Sequence, residues 1–187
     1  MKKLLVFASS LLIGNLTSAQ FIKEKAINAQ LGYGMSFPYE SENDVTAGGL
    51  FLQAEYVLKA ASWFEMRPYA GLVFTNSNGK DFNGNPTDEK AETRALLLGG
   101  KARVIAPIPY VAPYFEIGVG TSIGRFETQT VYSSHDKSGV IAHIPFSIGL
   151  ELGKQHNVDI AFTYFFQPSV EQTVGAFAFG LKFPITD

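Results

Sequence analysis

Residues 174–183 read V-G-A-F-A-F-G-L-K-F. Gly175, Phe177, Phe179, Leu181 and Phe183 share one face, and Val174, Ala176, Ala178, Gly180 and Lys182 share the other. A period of two that sorts large apolar side chains from small or charged ones describes a strand lying between two different environments. A closing strand that is greasy on one face and carries a lysine on the other suits a barrel with lipid outside and a polar interior.

The same alternation recurs upstream. In 26–37 the apolar Ile27, Ala29, Leu31, Tyr33, Met35 and Phe37 alternate with Asn28, Gln30, Gly32, Gly34 and Ser36. Strands are likewise expected over 48–58, 64–75, 94–106, 112–123, 139–152 and 158–167, each with one large apolar face. With 174–183 the count is eight. Pro68 falls inside the third strand, where a missing ladder donor predicts a local irregularity. The connections alternate between longer ones (38–46, 76–93, 125–138, 168–173), of which 125–138 begins as a strand extension and becomes a polar loop, and shorter ones (59–62, 107–111, 153–157). Long loops at one end and short turns at the other is the asymmetry of outer-membrane barrels, and an even strand number returns both termini to the short-turn side. Strands of about 10 residues, rising ~3.3 Å each and tilted ~40°, span roughly the 25 Å apolar band such barrels present. In this arrangement the last strand pairs back onto the first.

The chain's 187 residues suggest one domain, here 20–187, after a targeting segment at 1–19. Lys2 and Lys3, the short apolar run Leu4–Ile13 and the small residues Thr17-Ser18-Ala19 ahead of Gln20 form a secretory signal pattern. That apolar run is too short to span a bilayer as a helix, and the sequence holds no longer one. If the exported chain sits in a membrane, it does so with strands. A net charge of -2 gives no basis for binding nucleic acid.

The second faces collect Glu55, Glu65, Glu116, Glu151 and Asp159 against Arg67, Lys101, Arg103 and Lys182, together with His143. Alternation alone fits a soluble barrel or sandwich as well, because it does not say which face is inside. Three features favour charges inside. Eight large apolar faces would overfill an eight-stranded interior. The charged faces are otherwise rich in Gly, Ala and Ser, which suits a narrow lumen. Aromatics gather at strand ends, with Phe37, Phe74 and Phe166 near the long loops and Trp63, Phe64, Tyr110, Phe115 and Phe183 near the short turns, as two interfacial girdles require.

On strand number, alternation and ending, nearly all of the chain after the targeting segment resembles the small eight-stranded outer-membrane β-barrels of the outer-membrane protein A and X type. The resemblance implies an all-β, antiparallel up-and-down transmembrane barrel beneath a lipopolysaccharide outer leaflet. It also makes Phe177, Phe179, Leu181 and Phe183 the signal read by the barrel-assembly machinery. Pro184 to Asp187 depart from the usual pattern by following the last aromatic.

Nearly balanced lumen charges favour a closed, ion-paired interior over a small ion-conducting pore. Four surface loops with an unnamed ligand, a monomer, and a structural or surface-interaction role follow. Some barrels of this kind are lipid A acyltransferases or deacylases, and Ser133, Ser134, His135 and Asp136 offer the residue types in the third long loop. Adjacency in sequence is not active-site geometry, so no catalysis is expected. Three scattered histidines without cysteine show no metal-ligand cluster, and no cofactor motif follows a strand. The Asn and Asp residues of 76–88 lack the spacing of a calcium loop.

Overall fold

The computed structural model describes residues 22–40, 46–77, 80–81, 83–132 and 134–185. The targeting segment, Ser133 and the last two residues lie outside them. Eight strands follow one another: β1 Glu24–Pro38, β2 Ala47–Ala61, β3 Phe64–Asn76, β4 Lys90–Ile105, β5 Tyr110–Gln129, β6 Ser134–Gly153, β7 Val158–Gln167 and β8 Gln172–Ile185. Each pairs antiparallel with its neighbours in order, and β8 returns to β1 with Phe183 opposite Ile27 and Lys182 opposite Asn28, closing the barrel. Closure leaves no edge in the barrel wall, as backbone satisfaction in lipid demands.

The faces fall as the alternation predicts. Leu31, Tyr33, Ile117, Ile148, Phe177 and Phe179 are exposed on the outside, while Glu55, Arg67, Lys101 and Arg103 are buried within. This inverts a soluble protein, and it is the partition that a hydrocarbon solvent selects. Trp63, Tyr110, Phe115 and Phe183 are exposed at the turn end. At the loop end Tyr39 stacks on the exposed Phe166 with centroids 5.2 Å apart, and Phe37 meets Tyr164 edge-on at 5.9 Å.

Pro68 points outward, and the irregularity expected there is present: the β2–β3 ladder carries no pair between Tyr56 and Pro68 or between Val57 and Arg67, while Glu55–Tyr69 and Leu58–Met66 keep the same register, and a register shift follows between Lys59 and Ala61. Two sequence-based expectations need correction. The segment 125–138 is largely strand, because β5 runs to Gln129 and β6 starts at Ser134, paired from Gln129–Ser134 down to Gly124–Gly139. With β4 pairing as far as Lys90–Gln129, a three-stranded sheet rises past the end of β7, whose pairing with β6 stops at Ile144–Phe166. Above the bilayer both faces of a strand meet water, so no apolar alternation marks it. Finally, β8 continues beyond Phe183, since β1 still offers Ala26 and Lys25 as partners for Pro184 and Ile185.

Candidate functional site

The interior is layered, and strand register sets the layers. Toward the turn end, Glu65 lies opposite Arg103 and Arg103 opposite Glu116, so these three alternate in sign across β3, β4 and β5. Arg67 opposite Lys101, and Glu151 opposite Asp159, are like-charged neighbours. Such pairs destabilise a sheet unless opposite charge reaches them. Here it comes from across the lumen.

Arg67 donates to Glu55 through Nη1 at 2.7 Å, to Glu65 through Nη2 at 2.6 Å and to Glu151 through Nη2 at 2.7 Å. Arg103 donates to Glu116 through Nε at 2.6 Å, to Glu151 through Nη1 at 2.7 Å and to Asp159 at 3.1 Å. Its guanidinium carbon lies 3.4 Å from the centroid of the Tyr114 ring, whose hydroxyl donates to Asp159 Oδ1 at 2.6 Å. Lys101 bridges Glu55 and Glu116, the latter at 2.8 Å, and Lys182 reaches Glu151 Oε2 at 2.8 Å. Asn28 donates to both Glu55 and Asp159, at 3.2 and 3.1 Å, and Gln53 to Glu55 at 2.8 Å. Two arginines sharing Glu151 tie opposite walls of the barrel together. Ion pairs among fully buried groups gain strength from the low dielectric and lose it sharply if one partner goes.

Of the ten inward residues read from the sequence, nine meet in this layer. His143 does not. It sits nearer the loops, where its Nδ1 faces Ser122 Oγ at 2.7 Å and its Nε2 faces the Tyr69 hydroxyl at 2.5 Å, with Gln167 donating to Ser122 at 3.1 Å. Gly120 makes room for this, since a Cβ there would collide with both the His143 ring and the Tyr69 hydroxyl. Around it packs an apolar layer of Phe51, Val73, Leu97, Phe126, Ile141, Phe165 and Val174, joined by Val170 of the one-turn 3₁₀ helix Pro168–Val170. Above that, Ser36, Thr75, Thr93, Thr128 and Gln172 form an uncharged hydrogen-bonded layer, with Ser36 and Thr75 2.7 Å apart and Thr128 donating to Gln172 Oε1 at 2.8 Å. Asn28, Gln53, Tyr69, Tyr114, Ser122 and Gln167 escaped the sequence-based candidates, although their inward parity was the available signal.

At the turn end a cavity of about 1360 Å³ opens below the charged layer. Glu65, Glu151 and Lys182 line it together with Lys23, Lys59, His156 and other rim residues.

The Ser-His-Asp stretch is not in a loop. Successive strand residues face opposite ways, so Ser134 and Asp136 turn outward and His135 inward. His135 Nε2 lies 3.5 Å from Glu171 Oε2, and Asp136 is held by Arg125, whose Nε and Nη2 donate at 3.0 and 2.8 Å. That hydrogen-bonded guanidinium keeps the Asp136 carboxyl below its ordinary pKa. The three side chains are not brought to one site. Among the described residues no cluster of His, Asp and Glu could hold a metal ion.

No protein-family model matches the sequence, and neither does any curated protein. Solved structures do. The chain is similar to Neisserial surface protein A, at 11% identity over 86% of this chain and 97% of that one, with a TM-score of 0.58. It is also similar to Ail, the attachment invasion locus protein of Yersinia pestis, at 13% identity over 87% and 99%, with a TM-score of 0.50. At these identities the likeness speaks for architecture alone, and with the closed strand order and outward apolar faces it establishes the fold as that of the small eight-stranded outer-membrane β-barrels.

Proposed function

We propose that the protein is a monomeric outer-membrane barrel of a diderm bacterium with a closed lumen, acting as a structural or surface-interaction protein through its loop end, without catalysis. On this reading residues 1–19 direct export and are removed, and the barrel-assembly machinery reads Phe177, Phe179, Leu181 and Phe183. The loop end then faces outward beneath or through the lipopolysaccharide leaflet.

The observation that carries the reading is the inside-out partition: a continuous apolar exterior around Arg67, Arg103 and Lys101, each buried against two or more carboxylates. Two further layers, one apolar and one of uncharged hydrogen bonds, stand between that network and the loops. Filling of this kind supports a closed lumen, because an eight-stranded interior is just wide enough for side chains. The sheet of β4, β5 and β6 rises past β7 and exposes Val131 and Tyr132 at its tip, which favours contact with partners outside the cell.

Fractionation of cells followed by gel migration of boiled and unboiled samples tests the reading. A heat-modifiable band in the outer-membrane fraction is expected. A periplasmic protein that migrates identically in both samples overturns it. Lipid A mass spectra that change on deletion or overexpression would overturn the absence of catalysis.

A further inference from the structure

The outward face of the rising sheet changes character in successive cross-strand rows. Leu96, Ile123 and Val140, side by side on β4, β5 and β6, are the last apolar row. The next row toward the loops is Arg94, Arg125 and Ser138, with the exposed Phe74 of β3 beside Arg94. The row after that is Glu92, Glu127 and Asp136. One row is two residues, a rise of at most ~6.6 Å along the strand, so the two arginines stand at headgroup depth if the apolar rows lie in hydrocarbon.

Two guanidinium groups directly opposite one another on neighbouring strands repel unless an anion lies between them. The acidic row above is already engaged. Asp136 takes Arg125 in a two-point contact, Lys90 meets Glu127 at 2.5 Å, and Glu92 accepts from the Ser77 backbone N–H at 2.9 Å. Arg94 donates to the neutral Asn76 Oδ1 at 3.0 Å, and among the described residues it has no ion pair. An exposed guanidinium with no counterion among the described residues, beside a second one and an exposed phenyl ring, matches a phosphate carried on an apolar body.

We propose that Arg94 and Arg125, with Phe74, form a binding site for the phosphorylated headgroup of an anionic glycolipid in the outer leaflet. The inference rests on the membrane orientation given above. Arg94 supplies a charge that no described carboxylate pairs, and Arg125 adds donors after sharing Asp136 and, at 3.9 Å, Glu127. Phe74 packs against the lipid's apolar part.

The test uses the barrel without its targeting segment, folded in octyl glucoside micelles, with diphosphorylated lipid A as the probe and native mass spectrometry as the readout. The same lipid stripped of both phosphates, and inorganic phosphate alone, serve as comparison ligands. Binding to the wild-type protein is expected to fall about tenfold or more in the double variant Arg94→Gln, Arg125→Gln, and by a similar factor when the lipid loses its phosphates. Arg94→Lys should recover part of the loss, and Lys154→Gln, in a turn at the opposite end, should change nothing. Equal binding of the double variant, or of the dephosphorylated lipid, overturns the site. Displacement of the lipid by millimolar inorganic phosphate overturns the assignment to a lipid headgroup. Failure of the wild-type chain to fold in micelles removes the membrane orientation and the site together, whereas a folded barrel that ignores lipid A removes the site alone.

Discussion

Arg103 and Arg125 make nearly the same contact in opposite surroundings. Each brings two guanidinium nitrogens to one aspartate, at 3.1 Å to Asp159 inside the barrel and at 3.0 and 2.8 Å to Asp136 on the rising sheet. The Arg103 side chain is 0% exposed and that of Arg125 is 58% exposed. Inside, Arg103 makes four hydrogen bonds, to Glu116, Glu151 and Asp159, all of them buried. Outside, water and salt take over when the pair opens. The same bond is therefore an architectural element in one place and a local trim in the other, and burial alone makes the difference.

The most severe test of that contrast is Arg103→Ala. It takes one buried cation from Glu116, Glu151 and Asp159 together, leaving the lumen with an excess of acid, and should lower unfolding stability by about 3–5 kcal/mol, read from denaturant unfolding in micelles. A loss as small as that of a surface pair would mean that water already reaches the network. Gly118→Ala sharpens the packing side: its Cβ would collide with the Gly100 carbonyl of the neighbouring strand, and a cost of about 1–3 kcal/mol is expected in the same unfolding measurement. Ile141→Val, a single methylene removed from the apolar layer, should cost about 0.5–1.5 kcal/mol.

Arg125→Ala should have the smallest effect. A small shift in the unfolding midpoint at low ionic strength should vanish in molar salt, where charges are screened within ~3 Å. The pair also has a defined pH dependence. Arg125 depresses the Asp136 carboxyl in the folded barrel, so its contribution is present above the unfolded pKa of about 3.9 and is lost as pH falls through the lower folded value. The difference in midpoint between wild type and Asp136→Asn should therefore shrink below that pH, and growth in acid would contradict the assignment.

The sequence carried the wall of the barrel further than its ends. Inside the bilayer one face must be apolar and the other cannot be, so parity alone assigned Glu55, Arg67, Lys101 and Asp159 to the interior. The height of each side chain was not readable, because it depends on the register of all the intervening pairings. That is why His143 could be placed inside but not separated from the charges, from which Tyr69 divides it. The extension of β5 to Gln129 and β6 to Ser134 was legible only where it begins, after Arg125, for a different reason. Polar residues on both faces of a solvated strand look like a loop, so only pairing in the structure turns the Ser134, His135 and Asp136 stretch into strand. Side chains such as Asn28 and Tyr114 carried the right parity, yet their role as donors to carboxylates became visible only once Glu55 and Asp159 stood beside them.

Planar-bilayer recording of the purified, heat-modifiable protein tests the closed lumen most directly. With Arg67 and Arg103 each bound to several carboxylates beneath a buried apolar layer, the bilayer is expected to show no stable unit conductance beyond the lipid baseline. A reproducible single-channel step in the wild-type protein would contradict the account.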